Sequence, residues 1–377
     1  MRTMKEQETL SAIALTHISY LNLPTLLALY QQVGSARDIV AHGQNIRDLL
    51  PDASDRLVEA FRGIDSALRF AESELRTVES MGIRPLTMGD EDYPQRLAEC
   101  PDAPLVLYYK GTANLNQTRV VSIVGTRRAT PYGQDLIRRF MSELRMLCPQ
   151  VLVVSGLAYG IDICAHREAL AQGYETVGVL AHGLDDLYPP RHRQTADEML
   201  QRGGLLTEFP TGTRPDKVNF VRRNRIVAGI ADATLLVESA AHGGGLITTR
   251  IARDYNRDVF AFPGAVGAPY SEGCNQLIRD HGAELVTSAR DMVEAMGWQT
   301  DAQLSEAQSK GIERQLFPEL TEEEQRVVAL LSRQNDLQVN TLSVQSNLPV
   351  GRLAALLFSL EMKGVVKTLA GGTYHLL

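Results

Sequence analysis

The sequence predicts an α/β chain in which a doubly wound, mostly parallel sheet lies between an all-α N-terminal module and a C-terminal winged helix. Three observations carry this. Between Val120 and Val286 short apolar runs alternate with helical patterns, and continuous apolarity rather than alternation marks strands covered on both faces. Glycines fall directly after those runs, where an open α/β sheet turns towards its helices and holds its ligands. The flanks read differently, with helical periodicity before Gly82 and three helices plus a hairpin after Pro318.

Residues 1–82 form the helical module. SYLNLPTLLALYQQVGS, DIVAH and the amphipathic DRLVEAFRGIDSALRFAESELRTVESMG are helical in period, separated by Pro24, Gly34 and Gly43 and closed by Gly82. The second region, 83–297, enters through IRPLTMGDEDYP and APLVLYYKG, where turn residues bracket a short β-rich run. It continues through VVSIVG, VLVVSG, TVGVLAHG, GLLTEFP, ATLLVESA and DVFAFPG, with helices between them. Residues 298–318 are polar and poor in bulky apolar side chains, the composition of a linker. Residues 319–377 give LTEEEQRVVALLSRQ, TLSVQSN and LPVGRLAALLFSLEMKG as helices. VVKTLAGGTYHLL follows as a hairpin turning at Gly371 and Gly372, the element order of a winged helix.

Hydrophobic residues make up 44% of the 377 and charged residues 22%, which excludes a disordered or low-complexity chain. No apolar run reaches the ~18 residues of a spanning helix, and the polar start MRTMKEQETLSAIAL argues against a signal peptide. A cytoplasmic protein without a membrane partner is expected. Cys100, Cys148, Cys164 and Cys274 have no close spacing, so neither a disulfide framework nor a zinc site is expected, and the four read as buried thiols. The net charge of -7 hides a split. Residues 105–290 carry 21 Lys and Arg against 18 Asp and Glu, and the remainder carries 17 against 27. The middle is the electropositive part, as a polyanion partner requires.

The first run ends in SIVGTRRATPYG, where Gly125 lets a ligand approach the backbone and the next helix presents its N–H groups. Arg127 and Arg128 add forked donors that suit phosphate. The second ends in SGLAYGID, with Ser155, Gly156 and Gly160 at the turn. Asp162 and His166 follow at i and i+4 on one helix face, and His182 ends the next run. Without a further matching ligand these read as a helix cap and core histidines, so no metal is expected. The densest signal is DKVNFVRRNRIVAG. Lys217, Arg222, Arg223 and Arg225 crowd together with Phe220 and Asn224 among them, a mixture that suits single-stranded nucleic acid because cations track phosphates while a ring stacks on an unpaired base. AHGGGLITT supplies another phosphate-cradling turn through Gly244, Gly245 and Thr248.

Several chemistries are disfavoured. G-x-G-x-x-G is missing and no ribose-binding acid follows, so no dinucleotide cofactor is expected. No Walker A sequence occurs, which removes an ATP-driven motor. After the three glycines no acid follows until Asp254, so a nucleotide hydrolase lacks its best carboxylate.

SIVGTRRATPYG, SGLAYGIDICAH, FVRRNRIVAG, GGGLITT and FPG, in this order and with PDAPLVLYYKG upstream, resemble the bacterial DNA-processing protein A (DprA/Smf) family from about Ile83 to Val286. The resemblance implies an extended Rossmann-like domain without enzymatic activity. It would bind single-stranded DNA, form a homodimer and help load the RecA recombinase in natural transformation. It also implies a first module of SAM-like or helix-hairpin-helix type and a final winged helix. By the same resemblance Arg127 is the G-x-R arginine, Lys217, Phe220 and Arg222 to Arg225 form the basic and stacking segment, and Gly156, Gly160, Gly244, Gly245 and Thr248 line one pocket. The alternative is a Rossmann-like nucleotide phosphoribohydrolase acting on mononucleotides through Asp162 or His166. The winged helix, with only Arg352 and Lys363 on its recognition helix, is expected to contact protein rather than read duplex DNA.

Overall fold

The computed structural model describes residues 3–19, 21–298, 320–333, 335, 337–363, 365–369 and 373–376. All of the expected linker beyond Trp298, and the hairpin turn expected at Gly371 and Gly372, lie outside those residues. The chain divides into two compact units, 1–300 and 301–377.

Helices α1 (Met4–His17), α2 (Leu23–Val33), α3 (Ala36–Ala41), α4 (Asp55–Phe61) and α5 (Ile64–Ser80) open the first unit. Thr3, Asn22, Ser35 and Ser54 cap the first four by accepting from backbone N–H groups of the first turn. Gly34, at φ 79°, ends α2 in the left-handed conformation. The stripe of Ile13, Leu15, Leu26, Phe61 and Leu75 packs with Val106 and Tyr108 of the sheet in one core. Buried Glu74 of α5 accepts from the N–H and hydroxyl of Thr211 at 2.8 and 2.5 Å, so the helices and the sheet are joined by polar as well as apolar contacts.

The sheet and its helices follow as β1 (Arg84–Thr87), α6 (Gln95–Ala98), β2 (Val106–Gly111), β3 (Val120–Val124), α7 (Pro131–Leu147), β4 (Leu152–Ser155), α8 (Ile161–Ala171), β5 (Glu175–Val179) and α9 (Arg193–Gln201). After these come β6 (Gly203–Thr207), α10 (Lys217–Gly229), β7 (Ala233–Leu236), α11 (Gly244–Asp254), β8 (Asp258–Ala261), α12 (Glu272–Arg279), β9 (Glu284–Leu285) and α13 (Ala289–Ala295). The strand order is β1-β2-β6-β5-β4-β3-β7-β8-β9. From β6 to β9 all neighbours are parallel, while β1 and β2 form an antiparallel edge. Every residue of β3, β4, β6 and β7 is buried, which is why their sequences are continuously apolar. Alternate residues of β3 feed two cores: Val120 and Val124 pack with Ile226 and Ile230, and Val121 and Ile123 pack with Phe140 and Phe260. From β3 the chain steps outward one way through β4 to β6, then returns to the other side as β7 to β9. The crevice beside β3 is therefore the topological switch point.

The second unit contains α14 (Glu322–Arg333), β10 (Leu337–Gln338), α15 (Val339–Ser346), α16 (Val350–Met362), β11 (Val366–Leu369) and β12 (Thr373–Leu376). Leu331, Leu342, Leu353, Leu357 and Leu360 fill its core, and the antiparallel sheet β10-β12-β11 completes a winged helix. The two-residue β10 carries no signal in the sequence; its pairing with β12 makes it a strand. The cysteines are free, and the expectation of four buried thiols needs one correction. Cys164 is half-buried, packed at the edge of the cluster that holds Ile161 and Ala165.

Candidate nucleic-acid interface

At the switch point the loops after β3, β4 and β7 and the first turns of α10 and α11 enclose an open cavity of about 670 Å³. Ten of the fifteen residues singled out from the sequence line it: Gly125, Arg127, Gly156, Lys217, Phe220, Arg223, Asn224, Gly244, Gly245 and Thr248. They come from four segments far apart in sequence. The parallel order of β4, β3 and β7 brings them together.

Arg127 and Lys217 are exposed, and among the described residues neither has an ion-pair partner. The Arg127 guanidinium lies 5.0 Å from the centroid of the half-buried Phe220 ring, a cation–π contact that holds both at the cavity mouth. Tyr188, 44% exposed, meets Phe220 edge-on at 6.1 Å and lines the same cavity. Sequence reasoning missed Tyr188, whose one signal is an aromatic ahead of two prolines.

The floor is backbone. α11 starts at Gly244 without a side-chain cap, so the N–H groups of Gly244 and Gly245, at a helix end that faces the cavity, are open to an anion, while that of Leu246 donates to the Gly243 carbonyl. Asp216, by contrast, caps α10 by accepting from Val218 and Asn219 N–H at 2.7 and 3.0 Å. Gly156 is required because Arg223 lies against it: a Cβ there would fall 2.1 Å from the Arg223 Nη1. Gly160, at φ 80°, leaves no room either, its Cβ falling 2.2 Å from the Thr126 carbonyl.

Arg223 is fully internal. It donates to the carbonyl of Gly156 at 2.6 Å and to that of Val179, tying α10 to the ends of β4 and β5. Burial pulls its guanidinium down to about 10, which leaves it a cation at neutral pH. For Asp162, on the cavity wall, burial outweighs the nearby Arg223 and holds the carboxyl above its usual range.

Five of the fifteen residues do not line the cavity. Ser155 is buried and donates to the Ile123 carbonyl at 2.6 Å. Gly160 lies beneath, in the turn just described. Arg225 is buried against Glu208 at 2.7 Å, and Arg222 shares that carboxylate at 3.5 Å while stacking over Phe209. Arg128 is exposed beside Arg127. The histidines fill internal places. His166 bonds Thr176 at 2.7 Å, and burial pushes it down to about 3; His182 bonds the Gly183 carbonyl and accepts from Tyr188 N–H. Among the described residues no group of three or more His, Cys, Asp or Glu side chains is placed to share a metal ion, and no helix is long and apolar enough to cross a membrane.

Two family models match the chain: DNA recombination-mediator protein A over residues 84–297 and the DprA winged helix domain over 313–372. The putative DNA processing protein DprA of Mycobacterium tuberculosis is 35% identical over 357 residues, covering 91% of this chain and 88% of that one. Protein Smf of Synechocystis is 39% identical over 216 residues, 56% of this chain, and the match spans about half, 54%, of that relative. Among solved structures, the X-ray structure of DNA processing protein A from Streptococcus pneumoniae is similar with a TM-score of 0.65 and 30% identity, covering 78% of this chain and 98% of that one. DNA processing protein A from Helicobacter pylori, a structure described for its single-stranded DNA binding mode, is similar with a TM-score of 0.51 and 27% identity, covering 57% of this chain and 95% of that one. The cavity, the sheet order and these matches lead to one conclusion: the chain belongs to the DNA recombination-mediator protein A family.

Proposed function

We propose that this protein binds single-stranded DNA in the switch-point cavity and acts without catalysis, as a mediator that protects the strand and hands it to the RecA recombinase. The observation that carries the reading is the meeting of two exposed cations, the half-buried Phe220 ring and an uncapped helix start in one open cavity. Backbone N–H groups of α11 hold one phosphate, Arg127 and Lys217 hold its neighbours, and a base stacks on Phe220. Double-stranded DNA keeps its bases paired and offers no free face to that ring. The similarity to the Helicobacter pylori protein supports the choice of strand.

One cavity holds only a few nucleotides, so a homodimer that presents two of them is the physical route to tight binding of long strands. The mononucleotide hydrolase alternative loses His166, which is fully buried and outside the cavity lining. Fluorescence anisotropy with labelled oligo-dT and the matching duplex, at two salt concentrations, tests the reading. Tight, salt-sensitive binding of the single strand alone is expected, with loss in the Lys217→Ala, Phe220→Ala double variant. Equal binding by wild type and variant, or release of free base from nucleoside monophosphates, would overturn it.

A further inference from the structure

A second cavity, of about 450 Å³, adjoins the first. Glu238 stands in the wall between them. Its backbone carbonyl accepts from the N–H of Thr126, which lines the first cavity, and its side chain lines the second. The second cavity has a different chemistry. Tyr132, Tyr270, Pro263, Pro269 and Ala268 give it flat apolar walls, and it contains no cation. The walls are fixed: the Tyr132 hydroxyl donates to the Pro263 carbonyl at 2.7 Å, and Asn275 clasps Gly264 through two hydrogen bonds of 3.0 and 2.9 Å.

Glu238 is 3% exposed, and among the described residues its carboxylate accepts from Thr130, from the N–H at 2.9 Å and the hydroxyl at 2.5 Å. A carboxylate has about four acceptor positions, so two remain beyond the Thr130 bonds, with Gly133 packed closely against Oε2. A negative group between apolar walls repels phosphate and attracts a flat molecule with two adjacent N–H donors. Among the nucleobases guanine presents that edge, through N1–H and the 2-amino group. Thymine sets one N–H between two carbonyls, whose oxygens would face the carboxylate.

We propose that this second cavity is a base subsite that takes guanine from the strand lying in the first cavity, with Glu238 reading its N1–H and 2-amino edge. The inference rests on the strand-binding reading above. It makes the protein a weak reader of base identity and not only a holder of backbone.

The test is anisotropy titration with three strands of equal length: oligo-dT, the same strand with one central deoxyguanosine, and the same strand with deoxyinosine, which lacks the 2-amino group. Wild type, Glu238→Gln and Ala268→Leu are compared. The leucine fills the cavity from the opposite loop and leaves the Glu238 to Thr130 bonds in place, so it guards against misfolding of the first variant. Wild type is expected to prefer the guanine strand over oligo-dT by at least about fivefold, as a two-point base contact gives. Deoxyinosine should fall between, and the preference should vanish in both variants while oligo-dT affinity stays. Equal affinity for guanine and thymine strands, or a preference that survives both variants, overturns the subsite and leaves the first cavity untouched. Failure of every strand to bind wild type overturns the strand-binding reading and the subsite together. An arginine-rich peptide that binds wild type but not Glu238→Gln, without any guanine preference, assigns the cavity to a protein segment and also overturns it.

Discussion

Arginines that look alike in the sequence have divided their work. Arg127 is exposed and, among the described residues, has no acidic partner, whereas Arg225, in the densest basic segment, is buried against Glu208. Arg127→Ala should weaken strand binding by about 1 to 3 kcal/mol, the range for a charge-assisted phosphate contact, with the melting temperature unchanged. Arg225→Ala should do the reverse. Among the described residues Glu208 would keep only the exposed Arg222 at 3.5 Å, so a loss of about 3 kcal/mol in denaturant-measured stability, the low end for a broken buried pair, is expected, with near-normal affinity in the protein that remains folded. His166 gives a pH signature. Burial holds it at about 3 rather than the usual 6.5, so the unfolded chain takes up the proton first as pH falls. Its contribution to stability is complete above about 6.5 and is lost from there down towards about 3. The slope is up to about 1.4 kcal/mol per pH unit, and His166→Gln should flatten that part of the melting curve against pH. Residue types at this scale were legible in the sequence, and burial was not. Four cations in nine residues read as one patch until the helix turns Arg223 and Arg225 inward.

At the scale of elements, the start of α11 is the informative case. Gly244 is its first residue, and a Cβ there meets nothing within 4 Å. Gly244→Asp should therefore stabilise the helix by roughly 0.3 to 1 kcal/mol through the macrodipole while lowering affinity for the strand, because its carboxylate occupies the phosphate position. Thermal melting and anisotropy on the same preparation should move in opposite directions. Strands β3 to β8 were legible because burial of all or all but the first residue writes itself as continuous apolar sequence. β9 and β10, two residues each, were not, since pairing with a neighbour rather than local pattern makes them strands.

At the scale of the whole molecule, the two recognition-helix cations of the winged helix are held by acids of the same unit. Arg352 pairs with Glu323 at 2.7 Å, and Lys363 contacts both oxygens of Glu324, whose carboxyl it pulls down to about 2. With its recognition-helix cations held by acids, this unit is expected to contribute little to nucleic-acid affinity. A chain ending at Thr300, the boundary of the first compact unit, should bind oligo-dT within about twofold of the full protein, since a loss below ~0.4 kcal/mol marks a unit outside the contact. The logarithm of the binding constant should fall with the logarithm of salt by about 0.7 per phosphate held. A slope near zero would remove the phosphate contacts from the account.

By itself the sequence determined strands β3 to β8, the helical stretches between them and the kinds of side chain present at those strand ends, because burial and capping act over a few residues and leave a periodic trace. Only the tertiary structure decided which of those side chains share a cavity. Strand order at the switch point joins residues more than a hundred positions apart, and the same packing sends Arg223 and Arg225 inward, brings Tyr188 to Phe220, and sets Glu238 between two cavities. Such distances are fixed by which strands pair, and pairing is a property of the whole chain.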